Sequence, residues 1–81
     1  MMNQETTRSL ATIAREIRSD WKNVNYAAKP YLDAMASLNS INDSYYFDSA
    51  RSVVLYFLGN AGAWRGETAK RVKLELKAMA K

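Results

Sequence analysis

The sequence predicts an all-α fold: a compact small bundle of four helices in a single domain, residues 1–81. Three observations predict it. Apolar residues recur with helical spacing along most of the chain, no segment alternates apolar and polar residues as a half-buried strand does, and 81 residues leave no room for a second domain. The predicted helices span about residues 5–23, 27–38, 44–58 and 62–79, and the third is expected to be central.

The first helix is predicted from an apolar stripe with the spacing of one helix face, namely Leu10, Ile13, Ala14, Ile17, Trp21 and Val24. Asn3, Thr6 and Thr7 each offer an N-cap, so the start is open by about one turn. The segment 23–25, Asn-Val-Asn, looks like a break.

The second helix is predicted from Pro30, which suits a first turn because its missing N–H has no partner to lose there. Its apolar face consists of Tyr31, Leu32, Met35 and Leu38. Residues 39–44, Asn-Ser-Ile-Asn-Asp-Ser, have turn chemistry and are expected to end it.

The third helix is apolar nearly all round from Ala50 to Leu58, which predicts a position in contact with several other helices. Asp48 is the expected N-cap, although Asp43 could start the helix one turn earlier and make residues 45–47 helical. Gly59 suits a left-handed closing position.

The fourth helix is predicted from an inward stripe consisting of Ala69, Val72, Leu76 and Met79. Its start is open between Asn60 and Gly66, because Gly62 and Gly66 each weaken a helix that contains them by about 1 kcal/mol.

The two tryptophans are expected in the core. Arg65 is expected over the ring of Trp64, next to it in sequence.

The composition argues against catalysis. The chain contains no His and no Cys, so the commonest general base, the commonest thiol nucleophile and the best zinc ligands are absent. Glu16 and Asp20 lie four residues apart, and we interpret them as a solvated helix face near Lys22. The glycines lack the spacing of a phosphate-binding loop. We therefore predict a protein that is not an enzyme and needs no cofactor or metal.

No segment resembles a targeting or membrane signal. The N-terminal sequence MMNQETTRSL is polar where a secretory signal is apolar. The longest strongly apolar run, residues 53–58, is far shorter than the roughly 20 residues of a membrane-spanning helix. We expect a cytoplasmic protein without a membrane partner.

The net charge of +4 is unevenly distributed. Residues 1–29 carry five basic and three acidic side chains, residues 30–64 one and three, and residues 65–81 six and two. Basic residues form two predicted outward ridges: Arg8, Arg15, Arg18 and Lys22 on the first helix, and Lys70, Lys77 and Lys81 on the last. Such ridges could follow a phosphate backbone with salt-dependent affinity. Against this interpretation, Glu67 and Glu75 interrupt the second ridge, and lysine and arginine ordinarily occupy the outside of helices.

A second candidate surface is acidic and aromatic. Three successive rings at residues 45–47 cannot all point inward from one short segment, so at least one tyrosine is expected to be exposed. The candidate protein-binding residues here are Asp43, Tyr45, Tyr46 and Asp48. The alternative is that the rings cap the open end of the bundle.

Leu74 is a further candidate for protein binding. It lies opposite the inward stripe of the last helix, among Lys70, Arg71 and Lys77. An apolar residue ringed by cations is typical of an anchor for a partner, whereas a lone exposed leucine is also ordinary.

The chain resembles a recurrent type of small helical protein encoded by phages, prophages and other bacterial mobile elements. The residues that carry the resemblance cover nearly the whole chain beyond the first ten, and they are the segments 20–24, 30–35, 48–51, 56–58, 60–61, 64–67 and 73–77. The resemblance implies no activity. It implies a context in which short accessory proteins act by binding a host or rival macromolecule, and some such proteins are anti-CRISPR inhibitors.

The leading hypothesis is therefore a non-catalytic protein-interaction domain of mobile-element origin, an inhibitor that binds a host defence nucleoprotein complex of the CRISPR type. The alternative hypothesis is a small DNA- or RNA-binding protein that uses the two basic ridges. A bundle that functions as a homo-oligomer is compatible with either.

Overall fold

The computed structural model describes residues 8–81. Within them the chain forms four helices and one short hairpin: α1 (Leu10–Asp20), α2 (Lys29–Met35), β1 (Ser44–Tyr45), β2 (Asp48–Ser49), α3 (Ala50–Gly59) and α4 (Glu67–Met79). The four predicted helices are present, but the fold is not purely α-helical, because β1 and β2 pair antiparallel. None of the helices in this part of the chain is long and apolar enough to cross a membrane.

The start of α1 is fixed by a capping residue and by the segment that follows α2. Ser9 Oγ accepts a hydrogen bond from the backbone N–H of Thr12 at 3.1 Å. The N–H groups of the first two helical residues donate to the carbonyls of Asn39 and Leu38. Donors that would otherwise lack partners at a helix start are thus satisfied from two sides.

Both of the first two helices are shorter than predicted. Residues 8 and 9 are not helical, and the predicted start of α1 near residue 5, with its candidate caps, lies outside the described residues. At the other end, α1 stops at Asp20 and not at residue 23, because Trp21 adopts an extended backbone (φ −93°, ψ 91°). The second helix covers Lys29–Met35 and not 27–38, with Pro30 in its first turn as predicted.

The prediction that the third helix begins at residue 44 was wrong. Residues 44–49 form the hairpin, and α3 begins at Ala50. Its N-cap is Ser49 and not Asp48, since Ser49 Oγ accepts a hydrogen bond from the backbone N–H of Ser52 at 3.1 Å. The prediction that Gly59 adopts a left-handed backbone conformation was also wrong, because this glycine is the last residue of the helix.

The fourth helix begins at Glu67 and not at residue 62. Gly66 precedes it with φ 116° and ψ −177°, a backbone conformation that residues with a Cβ rarely adopt. This break separates the turn that carries Trp64 from α4.

The core is one cluster of buried side chains to which every helix contributes. The rings of Trp21 and Trp64 stack at 5.9 Å with an interplanar angle of 9°, and Phe57 packs edge-on against Trp21 at 6.3 Å. The prediction that both tryptophans are core residues is confirmed. The cation over the ring of Trp64, however, is Lys73 at 5.9 Å.

The expectation that the third helix is central is confirmed only in part. α3 packs against α2, α4 and the hairpin, and Val54 and Phe57 are fully buried. Its outer face nevertheless exposes Leu55 (52%) and Tyr56 (56%), and the ring of Tyr56 stacks on that of Tyr31 at 5.5 Å.

Candidate functional site

The hairpin presents two aromatic side chains to solvent. Tyr45 pairs with Asp48 in its ladder, which leaves Tyr46 and Phe47 as the two-residue loop. We call these two residues the aromatic tip. The exposed fraction is 84% for Tyr46 and 104% for Phe47. Two adjacent large rings this exposed offer rigid contact area for a partner.

The backbone of the aromatic tip is strained. Tyr46 has φ 56° and is the only non-glycine residue with a positive φ among residues 8–81. Two-residue hairpin loops that need this conformation ordinarily use Gly, Asn or Asp. A tyrosine in the left-handed region costs about 1–2 kcal/mol. Strain of this kind persists where the surrounding structure holds it, and it concentrates at functional sites.

Asp43 anchors the base of the hairpin. One oxygen of its carboxylate accepts hydrogen bonds from the backbone N–H groups of Asn39 (2.9 Å) and Ser40 (3.0 Å), and the carbonyl of Asp43 accepts from Ala50 at 2.8 Å. The hydrogen bonds from Ser40 and then Asn39 lower the pKa of the Asp43 carboxyl. Asp43, a predicted protein-binding residue, therefore holds the loop through its carboxylate.

The other predicted protein-binding residues near Asp43 differ in role: some support the hairpin, and others lie exposed at its surface. Tyr45 is half-buried and packs against the core, and its ring contacts that of Tyr46 edge-on at 4.7 Å. Asp48 is exposed beside the aromatic tip. Phe47 has the most exposed ring among the described residues. It was not among the predicted binding residues, because nothing in the sequence signals that this phenylalanine points outward.

Leu74 is exposed, as its position opposite the inward stripe predicts. Its exposed fraction is 62%, and it lines a shallow depression with Glu67, Lys70, Arg71 and Glu75. Leu74 lies on α4, far along the chain from the aromatic tip, so the two candidate protein-binding sites belong to different elements.

The first predicted basic ridge does not exist as a continuous surface. Arg8 precedes α1, and its guanidinium donates two hydrogen bonds to Glu75, at 3.0 and 2.7 Å. It also forms an ion pair with Glu16 at 2.8 Å. These carboxylates raise the pKa of Arg8.

Of the other three cations on this ridge, Arg18 forms an ion pair with Asp33 of α2. Arg15 and Lys22 remain exposed. Two of the carboxylate partners, Glu75 and Asp33, lie on α4 and α2, which is why the pattern of the first helix alone could not show these pairs.

The acidic flank of α1, predicted to be a solvated helix face near Lys22, instead contacts other elements through both carboxylates. Glu16 accepts a hydrogen bond from Arg71 of α4 and contacts Arg8. These two cations lower the pKa of Glu16, Arg71 more than Arg8. Asp20 accepts a hydrogen bond from the indole N–H of Trp64 at 2.8 Å. No group of three or more acidic side chains that could hold a metal ion occurs within residues 8–81.

The second predicted ridge is better preserved. Lys70, Lys77 and Lys81 are exposed, although Lys81 lies beyond the end of α4. Glu75, expected to interrupt the ridge, is turned toward Arg8.

A groove of about 660 Å³ lies between the start of α1 and the end of α4. Ile41 and Met79 contribute apolar walls, and Arg8 and Glu75 contribute polar ones. Because these two charged groups bond to each other, they do not leave free polar groups that would orient a small ligand.

No protein-family model, curated protein or solved structure matches the chain. The resemblance to proteins of mobile elements therefore stays a prediction.

Proposed function

We propose that this chain is a non-catalytic protein-interaction domain and that the aromatic tip, Tyr46 and Phe47, is its principal contact with a partner. The observation that carries the proposal is the almost complete exposure of both rings on a loop whose backbone is strained at Tyr46. A fold under no demand except stability would place glycine or asparagine in the loop and bury the rings.

The two exposed rings of the aromatic tip and the carboxylate beside them indicate which kind of partner surface would bind them. Two adjacent rings on a narrow hairpin fit an apolar recess better than a flat surface, and each large ring can bury about 150–250 Å². Asp48, exposed beside the tip, favours a recess with a cationic rim, because electrostatic complementarity steers association and sets the orientation of the complex.

The resemblance to proteins of phages and other mobile elements supports one specific form of this function. In that form the partner is a host defence nucleoprotein complex of the CRISPR type, and the chain inhibits it by occupying a protein surface. Defence complexes contain cationic channels for nucleic acid, and an acidic, aromatic hairpin is complementary to the rim of such a channel.

The binding proposal is tested by immobilising the parent protein and variants and exposing them to nuclease-treated bacterial lysate. Phe47→Ala removes the exposed ring, and Tyr26→Ala is the matched control, because Tyr26 is an equally exposed aromatic (87%) outside the hairpin. The expected result is a protein retained by the parent and by Tyr26→Ala and lost with Phe47→Ala. With the purified partner, a hot-spot residue should cost about 2 kcal/mol on truncation, which corresponds to roughly a 30-fold weaker Kd.

A partner bound equally well by Phe47→Ala contradicts the assignment of the tip. The proposal that the chain inhibits a CRISPR-type complex is tested separately. Target cleavage by reconstituted CRISPR effector complexes is measured with and without the protein. Inhibition by the parent that Phe47→Ala lacks supports this proposal. Cleavage that is unaffected across the complexes overturns the defence assignment, while the binding result stands by itself.

A further inference from the structure

Four cations lie together at the turn before α4 and along its outer face. Arg65, Lys70 and Lys73 line one shallow depression beside Trp64, and Lys77 follows Lys73 by one turn on the same helix face. We call these four residues the cationic ridge. From Lys70 to Lys77 it extends about 10 Å along the helix axis.

The four cations of the ridge form no ion pair within the described residues, and Glu67, which lines a depression with Lys70, is the acidic side chain on that side of α4. The ion pairs found there use Arg8, Arg18 and Arg71 and none of the four ridge cations. Burial lowers the pKa of Lys73, and the nearby charges of Lys77 and Arg65 lower it further, so the cations are close enough to repel one another. Like charges one turn apart destabilise a helix, and a bound anion would remove that cost.

The ridge is also held in place. Lys73 Nζ donates a hydrogen bond to the carbonyl of Trp64 at 2.7 Å and lies over the indole ring. An ammonium group has three donors, so Lys73 is positioned by the protein and keeps donors for a ligand. Because Trp64 is a core residue (2% exposed), the position of Lys73 is tied to the rigid part of the molecule.

We infer that the cationic ridge binds the phosphate backbone of duplex nucleic acid, without reading its sequence. This function goes beyond the proposed protein binding and uses a different element. Three ammonium groups along one helix face, with a guanidinium group just before the helix, can contact successive phosphates of a backbone.

Two other polyanions fit the ridge less well. Single-stranded nucleic acid would need exposed rings on which bases stack, and Trp64, the aromatic residue at the ridge, is buried. An anionic membrane surface would need several large apolar side chains on the same helix face, and Leu74 is the only exposed large hydrophobic residue among the described residues of α4.

The test is fluorescence anisotropy of a labelled 20-base-pair duplex, as DNA and as RNA, titrated with the full chain from 50 to 200 mM salt. Four phosphate contacts predict that log K falls against log salt with a slope of about −3.6. The affinity should therefore decrease by roughly 150-fold over this range. Binding to only the DNA duplex or only the RNA duplex would show which of the two nucleic acids the ridge binds.

The informative variant is Lys70→Ala/Lys77→Ala, which removes two exposed ridge cations and should bring the slope to about −1.8. Its matched control is Arg15→Ala/Lys22→Ala, which removes two exposed cations outside the ridge, one on α1 and one in the turn after it, and should keep the parent slope. Circular dichroism confirms that both variants fold.

Three results would overturn the inference: no duplex binding at 50 mM salt, equal losses in the two double variants, or tighter binding to phosphatidylserine vesicles than to either duplex. Phe47→Ala separates this inference from the proposed function. It should leave duplex binding unchanged, and Lys70→Ala/Lys77→Ala should leave tip-dependent protein capture unchanged, so either proposal can fail alone.

Discussion

At the scale of single residues, Tyr46 is where stability and the proposed function oppose each other. Its left-handed backbone (φ 56°) suits asparagine better than tyrosine. Its ring, in turn, contacts Tyr45 at 4.7 Å, a type of pair that contributes about 0.5–1.5 kcal/mol.

We therefore expect two truncations at this position to differ in stability. Tyr46→Ala loses the ring contact and keeps the backbone strain, so its free energy of unfolding should fall by about 1 kcal/mol. Tyr46→Asn loses the same contact and relieves strain, and it should be more stable than Tyr46→Ala by about 1 kcal/mol. Urea denaturation of the three proteins measures both differences. Equal stability of the two variants would show that the backbone at residue 46 is not strained in solution.

Sequence reasoning at this scale identified the right region of the candidate site but not the roles within it. That three successive rings cannot all be buried follows from geometry, and Tyr46 is exposed. Which ring is most exposed, and that Asp43 accepts two backbone hydrogen bonds, depend on the path of the loop. Asp43→Lys is consequently a poor probe of binding, because it removes the anchor of the hairpin.

At the scale of elements, α3 combines a buried face and an exposed face in adjacent positions. Val54 is fully buried, whereas Leu55 is 52% exposed. Val54→Asp should unfold the domain or destabilise it by several kcal/mol, because an unpaired charge in the core is far more costly than a surface one. Leu55→Asp, its neighbour, should keep a cooperative melting curve close to that of the parent. Thermal unfolding followed by circular dichroism compares them, and similar melting temperatures for the two variants would show that the core face of α3 is misassigned.

The helices were predictable because their apolar stripes repeat over several turns, and the hairpin was not. Its strands have two residues each, too few to show alternation, and its loop carries two aromatic residues where a hairpin signal would be glycine or asparagine. The sequence left the start of α4 open between Asn60 and Gly66 for a related reason, and the N-cap is Gly66. The φ of Gly66 (116°) ends the preceding turn, and composition alone does not distinguish that role from a tolerated helical glycine.

At the scale of the whole molecule, ion pairs join the two helices most distant in sequence. Arg8, just before α1, bonds to Glu75 of α4 across 67 positions, and Glu16 of α1 accepts from Arg71 of α4 across 55 positions. Such pairs follow only from the packed structure. They also explain why the basic surface is concentrated on α4, since the cations near α1 are partly neutralised.

This arrangement predicts an acid-dependent loss of stability. Arg71 and Arg8 lower the pKa of Glu16 in the folded protein, so the folded state binds its proton less readily than the unfolded chain, where the pKa of a glutamate is about 4.3. The stabilisation is fully present above that unfolded value and is lost as the pH falls through the lower folded value. Glu16→Gln should therefore be less stable than the parent at pH 7, by about 1 kcal/mol for a partly exposed network.

The difference between Glu16→Gln and the parent should shrink as the pH is lowered from 6 toward 3, because the parent protonates Glu16 and loses the same ion pairs. Urea denaturation at each pH measures it. In an Arg71→Met background the largest cause of the lowered pKa is absent, so the pH dependence of the difference should become weaker there. A difference that stays constant from pH 7 to pH 3 would show that Glu16 is not ion-paired in solution, and the contact between α1 and α4 would then depend on apolar packing and on the Arg8–Glu75 pair.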